Sequence, residues 1–346
     1  MRNDIATPDR FLSVSDTIAM KAIAILCMLA HHLWTFPERI AGGPLESFFH
    51  ISGLPLTAHF GVFAKICVSM FFFLGGYGLY KKYFGKRYNL FERLKKLYFA
   101  YWKIFVIFVP IGFICFSNQD AYCTDASVYS AFSQFSIKEF LLNFAGIEST
   151  YNKEWWFLIN YAILLALFPL IRFLVQHLSA LDNVFIILVL SIALTRFHYA
   201  IPHAACFWMG AVVARNGLFD KLNDFLKAIR LLNPVFDAFI WVAVIILRRY
   251  SNIIYFDIFF VPFLTLVSID TVSRLNFLKK CLSALGTQST NMWLIHTFFC
   301  YYFGVTAKIV AAPGYAIPAF VILLAMSYAA SVLVDKFWEK AVHFLK

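Results

Sequence analysis

Apolar runs about as long as a bilayer is thick alternate along this chain with short polar gaps. Ten such runs stand out, at 17–36, 60–80, 98–117, 156–175, 184–199, 201–214, 235–249, 252–270, 286–305 and 316–335. A helix needs about 20 mostly apolar residues to cross the hydrocarbon core. The pattern therefore predicts an all-α polytopic membrane bundle of about ten transmembrane helices. The stretches 184–214 and 235–270 must each hold two spans, with Pro202 and Pro262 as the expected breaks, because proline removes a backbone donor and disfavours helix just before it. No separate soluble domain is visible, so residues 1–346 read as a single transmembrane domain. Its longest connection is 118–155, within which Ile137–Phe144 (IKEFLLNF) has the pattern of a short amphipathic surface helix.

Basic residues orient the spans, since cytoplasmic loops carry an excess of Lys and Arg. The 81–97 loop alone holds Lys81, Lys82, Lys86, Arg87, Arg93, Lys95 and Lys96. Placing it in the cytoplasm puts both termini inside and divides the loop charges twenty to eight. Arg248 and Arg249 then fall on the sparser side. Sixteen mixed residues precede a first run of full bilayer length, which reads as a retained span and not as a cleaved leader.

Composition narrows the class. Charged residues are 14% of the chain and hydrophobic residues 61%, and mean hydropathy is +0.73, whereas an ordinary soluble domain is roughly a quarter charged. The net charge of +11 does not point to nucleic acid, because the basic residues sit in gaps between spans and form no continuous solvated face. Seven cysteines lack any metal or haem spacing, and no metal is expected; only Cys115 and Cys123, near the outer face, are placed to pair. Phosphate-loop, dinucleotide, nucleophile-elbow and zincin motifs are absent from the sequence.

Ionisable residues inside spans are the first functional candidates, because hydrocarbon makes them costly. The first run carries Lys21, His31 and His32. Eleven steps of 100° return to within 20° of the start, so Lys21 and His32 share a helix face about 16 Å apart. Lys21 either snorkels to the membrane surface or faces a cavity with His32; His31 lies some 80° away, toward a neighbour or the headgroups. In the second run Gly75, Gly76 and Gly78 permit either close helix contact or close backbone approach to a ligand. Arg93, Lys95, Lys96 and Tyr101 lead into the third run, as topology-setting charge or as a clamp for an anion. Asn152 and Glu154 precede a membrane-entering Trp155–Trp156 pair, from which Glu154 is positioned to orient a histidine. Ser289 and His296, seven residues apart, share a face of a late span. His198, Tyr199 and His203 are weaker candidates for lining the outer mouth.

These stretches resemble the acyltransferase 3 family of integral-membrane O-acyltransferases. The likeness runs through Lys21 to His32 (a basic residue, ten residues, then histidine), FFFLGGYGLY, RLKKLYFAYW, the WWF stretch with its PLI end at 155–171, and LGxxSxxxWLIH at 285–296. It covers nearly the whole chain in family order. Three departures stand out: Lys21 replaces the usual Arg, Gly75 replaces a serine, and YFA replaces the proline-containing part of the third stretch. The resemblance implies acetyl transfer from cytoplasmic acetyl-CoA to a hydroxyl of a cell-surface glycan or lipid-linked sugar. His32 would be the general base, supported by Lys21 and Glu154. Arg93, Lys95, Lys96, Tyr101, Gly75 and Gly76 would hold the acyl-CoA, and Asn152, Trp156, Ser289 and His296 the acceptor. It further implies a multi-pass protein of the bacterial cytoplasmic membrane, and leaves room for an oligomer. The competing reading is a secondary transporter or flippase of a sugar or lipid-linked intermediate, since intramembrane His and Lys also build proton relays; it expects inverted repeats, which the sequence does not display.

Overall fold

The computed structural model describes residues 9–195, 197, 200–251 and 254–344. The helices are α1 (Val14–Thr35), α2 (Leu56–Ala64), α3 (Ile66–Tyr83), α4 (Leu90–Cys115), α5 (Ala126–Tyr129), α6 (Ile137–Phe144), α7 (Trp156–His177), α8 (Ala180–Leu194), α9 (Ile201–Asn216), α10 (Leu218–Ala228), α11 (Pro234–Ser251), α12 (Asp257–Arg274), α13 (Asn276–Thr287), α14 (Ser289–Thr297), α15 (Gly304–Ala311) and α16 (Ala316–Phe344). A two-residue hairpin between α1 and α2 pairs His50 with Pro55 and Ile51 with Leu54, and its turn residues Ser52 and Gly53 both have positive φ.

Among the described residues, six helical segments are long and apolar enough to cross a membrane: Val14–Thr35, Leu56–Tyr83, Leu90–Cys115, Lys153–His177, Ile254–Arg274 and Ala316–His343. A seventh is bent by 87°, where Ser289–Tyr302 meets Gly304–Ala311. The other three expected runs are helical but shorter or more charged. α8 and α9 have 15 and 16 residues, and α11 carries Asp237, Arg248 and Arg249. Pro202 lies in the first turn of α9, as expected of a break. Pro262, by contrast, sits inside α12 without ending it. A membrane helix tolerates the lost donor when neighbouring groups satisfy the freed carbonyl. Cys115 and Cys123 are both free thiols.

The chain divides into two compact units, each discontinuous in sequence. The first comprises 1–24, 65–90 and 160–286. Its centre is the contact of α3 with α9, where the backbones touch: a Cβ on Gly76 would collide with the Phe207 carbonyl, and one on Gly210 with the Phe73 carbonyl. Small residues allow this approach where lipid gives no hydrophobic drive for helices to associate. The buried Asp9 carboxylate pins the segment before α1 to this unit, accepting from the Phe11 and Phe219 amides and the Tyr77 hydroxyl. Burial pushes its pKa above the usual aspartate range despite those bonds.

The second unit comprises 25–64, 91–159 and 287–346. Its core is aromatic. Trp155 meets Tyr101 edge-on at 4.9 Å and Phe298 at 5.5 Å, and Phe132 stacks on Tyr151 at 5.7 Å. Lys103 on α4 pairs with Asp335 on α16 at 2.7 Å, and Asn291 on α14 donates to the same carboxylate at 2.9 Å.

Candidate functional site

The site grows from the end of α1 in the second unit. Helix α1 stops at Thr35 because Phe36 precedes Pro37, and a residue before proline is pushed out of the helical region. That leaves His31 and His32 in the last turn. His31 is buried, with its Nδ1 2.8 Å from the Gly61 carbonyl. A carbonyl only accepts, so this Nδ1 carries the proton. The approach needs a glycine, since a Cβ at position 61 would lie 2.7 Å from Thr35 Oγ1.

The His32 ring is half-buried and stacks on Phe36 at 6.0 Å. It lies 5.1 Å from the ring of His296 on α14 and meets Tyr301 edge-on at 6.0 Å. The Tyr301 hydroxyl donates to the His32 carbonyl. His296 is fully buried, and its Nδ1 faces the carbonyls of Met292 and Trp293 on its own helix, at 3.1 and 2.9 Å. Both partners are acceptors, so Nδ1 bears hydrogen, and in the neutral ring Nε2 holds a lone pair. Among the described residues, Nε2 has no hydrogen-bond partner.

Beyond His296 the helix changes pitch. Phe298–Tyr302 is a π turn, with the wider i→i+5 spacing, and it runs into the 87° bend before α15. The segment between α4 and α5 supports the bend. The Tyr122 hydroxyl donates to the Tyr301 carbonyl, Gln119 Nε2 donates to the Tyr302 carbonyl at 2.8 Å, and Gln119 Oε1 accepts from the Gly304 amide at 2.8 Å.

An ion-pair network borders the histidines. Arg39 donates through Nη1 to Glu154 Oε1 at 3.0 Å and through Nε to Asp125 Oδ2 at 3.1 Å, and its guanidinium lies 4.9 Å from the Phe36 ring centre and 5.6 Å from that of Tyr301. The other oxygen of Glu154 accepts from the Tyr302 hydroxyl at 2.9 Å. Burial alone would lower the Arg39 pKa, but Glu154, the two tyrosines and Asp125 raise it, so it stays charged. Burial likewise works against ionised Asp125, yet the Ser127 hydroxyl, Arg39 and the Ser127 amide hold its pKa below the ordinary 3.8. Asn152 caps the turn before α7 and donates to Thr297 at 2.8 Å, next to His296 in sequence, and Trp155 donates to the Leu294 carbonyl at 3.0 Å. An open cavity of about 600 Å³ nearby is lined by residues that include Pro37, Glu38, Gly43, Tyr122 and Thr124.

Four of the expected site residues, His32, Glu154, Asn152 and His296, thus belong to one network in the second unit. Glu154, expected to orient a histidine, bonds instead to Arg39 and Tyr302, because the guanidinium is the stronger partner for a buried carboxylate. Lys21 shares α1 with His32, is half-buried, and falls in the first unit. Gly75 and Gly76 are also in the first unit, against the Tyr161 ring and the α9 backbone respectively. On α4, Lys95 is exposed, Lys96 pairs with Glu92 at 2.7 Å, and Arg93 is half-buried. Tyr101 is buried and gives its hydroxyl to the Asn143 carbonyl, so it is a core residue with no free polar edge. Ser289 is buried at the start of α14, and Trp156 is half-buried at the start of α7. His198 and Tyr199 lie outside the described residues; His203 is fully buried in the first unit, bonded to Ser69.

Sequence reading missed Arg39, Asp125, Tyr301 and Tyr302. Arg39 entered it only as one more loop charge, and the tyrosines only as part of an apolar run. A family model described as an acyltransferase domain matches residues 16–336. No curated protein and no solved structure matches the chain.

Proposed function

The chain belongs to the acyltransferase 3 family and is a multi-pass membrane acyltransferase; from that premise we propose that it moves an acetyl group from cytoplasmic acetyl-CoA to a hydroxyl of a cell-surface glycan or lipid-linked sugar. His32 is the general base. The observation that carries this reading is the pairing of the His32 and His296 rings at 5.1 Å, beside a charged network, in the second unit.

Attack of an alcohol on a thioester requires removal of the hydroxyl proton as the new C–O bond forms. A neutral imidazole takes that proton; an unperturbed one titrates near pH 6.5, close to working pH. The tetrahedral centre then collapses, the C–S bond breaks, and the CoA thiolate recovers the proton from the imidazolium. The acceptor occupies the open cavity lined by residues that include Pro37, Glu38 and Tyr122. Arg93, Lys95 and Lys96 at the start of α4 hold the CoA phosphates. The protein sits in a bacterial cytoplasmic membrane with both termini inside, the orientation favoured by the twenty-to-eight division of loop charge.

The test supplies purified protein in vesicles with radiolabelled acetyl-CoA and candidate lipid-linked glycans. Wild type transfers label to a glycan, and His32→Ala lowers turnover by about 10²–10⁴-fold, the usual contribution of a general base. Full labelling by His32→Ala removes this residue from the chemistry, and transport of unmodified sugar without labelling removes the acyl-transfer reading.

A further inference from the structure

The protonation pattern of His296 is fixed by its own helix. The Nδ1 of His296 faces the carbonyls of Met292 and Trp293, at 3.1 and 2.9 Å, and therefore carries hydrogen. A neutral ring so held presents a lone pair at Nε2, pointing away from α14. That nitrogen is buried and has no hydrogen-bond partner among the described residues. A buried acceptor without a partner normally costs free energy, so its presence calls for an explanation. It also argues against His296 as an oxyanion donor, since that role needs a proton where this ring has none.

Resting on the general-base reading of His32, we infer that His296 is the positioning residue for that base: its Nε2 accepts an N–H from the His32 ring, orients it, and stabilises the imidazolium formed as the acceptor hydroxyl loses its proton. The rings are 5.1 Å apart between centres and tilted by 49°, so a small rotation of the half-buried His32 closes the contact. The arrangement parallels the Ser-His-Asp logic, in which a third group fixes the tautomer of the base and stabilises its charged form without being protonated itself. Here the third group is neutral. Proton balance is unchanged, because the hydroxyl proton resides on His32 until the departing thiolate takes it, and His296 neither gains nor loses one.

Side-chain groups on neighbouring elements that bear on this pair are His31, 5.1 Å from His32 on the same helix, Tyr301 on the π turn, and Arg39 with Glu154. Arg39 is neutralised by two carboxylates, Glu154 and Asp125, so the base meets little net positive charge from that direction.

The experiment measures steady-state kinetics of acetyl transfer for His296→Leu and His296→Gln beside wild type and His32→Ala. Leucine fills space but accepts nothing, whereas glutamine keeps an acceptor oxygen at similar reach. His296→Leu should lower kcat about 10²-fold with KM for both substrates unchanged, and His296→Gln should recover at least about a tenth of wild-type kcat. Equal loss in both variants with a raised KM, or full kcat in His296→Leu, overturns the inference while leaving His32 as the base. Full activity in His32→Ala overturns the parent reading instead. Should His296→Leu fail to fold, ¹⁵N spectroscopy of histidine-labelled wild type decides: protonated Nδ1 with unprotonated Nε2 at neutral pH supports the inference, and the reverse tautomer overturns it.

Discussion

Each unit buries one polar cluster made of the same ingredients, a histidine, a carboxylate, an arginine and a hydroxyl, and the two are wired differently. In the first unit Asp257 binds Arg248 bidentately, at 2.8 and 3.1 Å, and accepts from the Ser69 hydroxyl at 2.6 Å. Having given its only proton to Asp257, Ser69 must accept from Nδ1 of His203, 2.7 Å away. Serine thus sits between histidine and aspartate. In a nucleophilic triad the histidine sits between the other two, so that it can take the serine proton; this cluster cannot work that way. Its members come from α3, α9, α11 and α12, and it fastens four helix ends together. In the second unit the carboxylate Glu154 is likewise saturated by Arg39 and Tyr302, but the His296 ring is held by carbonyls of its own helix and faces the His32 ring at 5.1 Å. The first cluster ties its histidine through a serine to the carboxylate, whereas the second leaves its histidine facing another imidazole.

The sharpest way to break this contrast is to cut the first cluster. Arg248→Leu leaves Asp257 buried and unpaired, and removing one partner of a buried ion pair typically costs about 3–5 kcal/mol. Denaturant unfolding of the solubilised protein should register that loss, while turnover per folded molecule stays near wild type. Abolished turnover in molecules that remain folded would erase the distinction drawn between the clusters. Glu154→Gln is the matched change in the second unit. It removes a charged hydrogen bond from Arg39 but leaves Asp125, so stability should fall by only about 2–3 kcal/mol. Turnover should fall as well, since Tyr302 and the π turn lose an anchor. The smallest effect concerns pH. Asp125 titrates below the ordinary 3.8 in the folded protein, so its contribution is present above that value and is lost as pH falls through its depressed folded pKa. Amide exchange around 124–127 should therefore be equally protected from about pH 5 to pH 8, after correction for intrinsic rates, and loosen only in stronger acid.

Much of the architecture was legible from the apolar runs, because a membrane helix must satisfy its backbone internally and so advertises itself by length. All ten runs contain helix. In α11 the shortfall reflects a buried charge: Arg248 could be read only as an awkward charge until Asp257 supplied its partner. The repeat of Lys21 and His32 along one face was legible because both lie on α1, and helical periodicity is local. What faces them is not. The π turn has no sequence period of its own, and Phe298–Tyr302 reads as five further apolar positions. The side chains that satisfy its carbonyls, Gln119 and Tyr122, lie 183 and 179 residues away. The tautomer of His296 depends on carbonyls three and four residues earlier, a geometry any helical histidine offers but few adopt.

The π turn also makes the length of this stretch informative. A π turn amounts to an α-helix with one extra residue, and each residue of an α-helix advances about 100°. Deleting a single position between Phe298 and Tyr302 would restore ordinary pitch and swing everything downstream by about that angle, taking the Tyr302 hydroxyl off Glu154 and the Gly304 amide off Gln119. Insertions and deletions here would thus be filtered far more severely than substitutions among aromatics, so that spacing, more than residue identity, is what the segment has to keep.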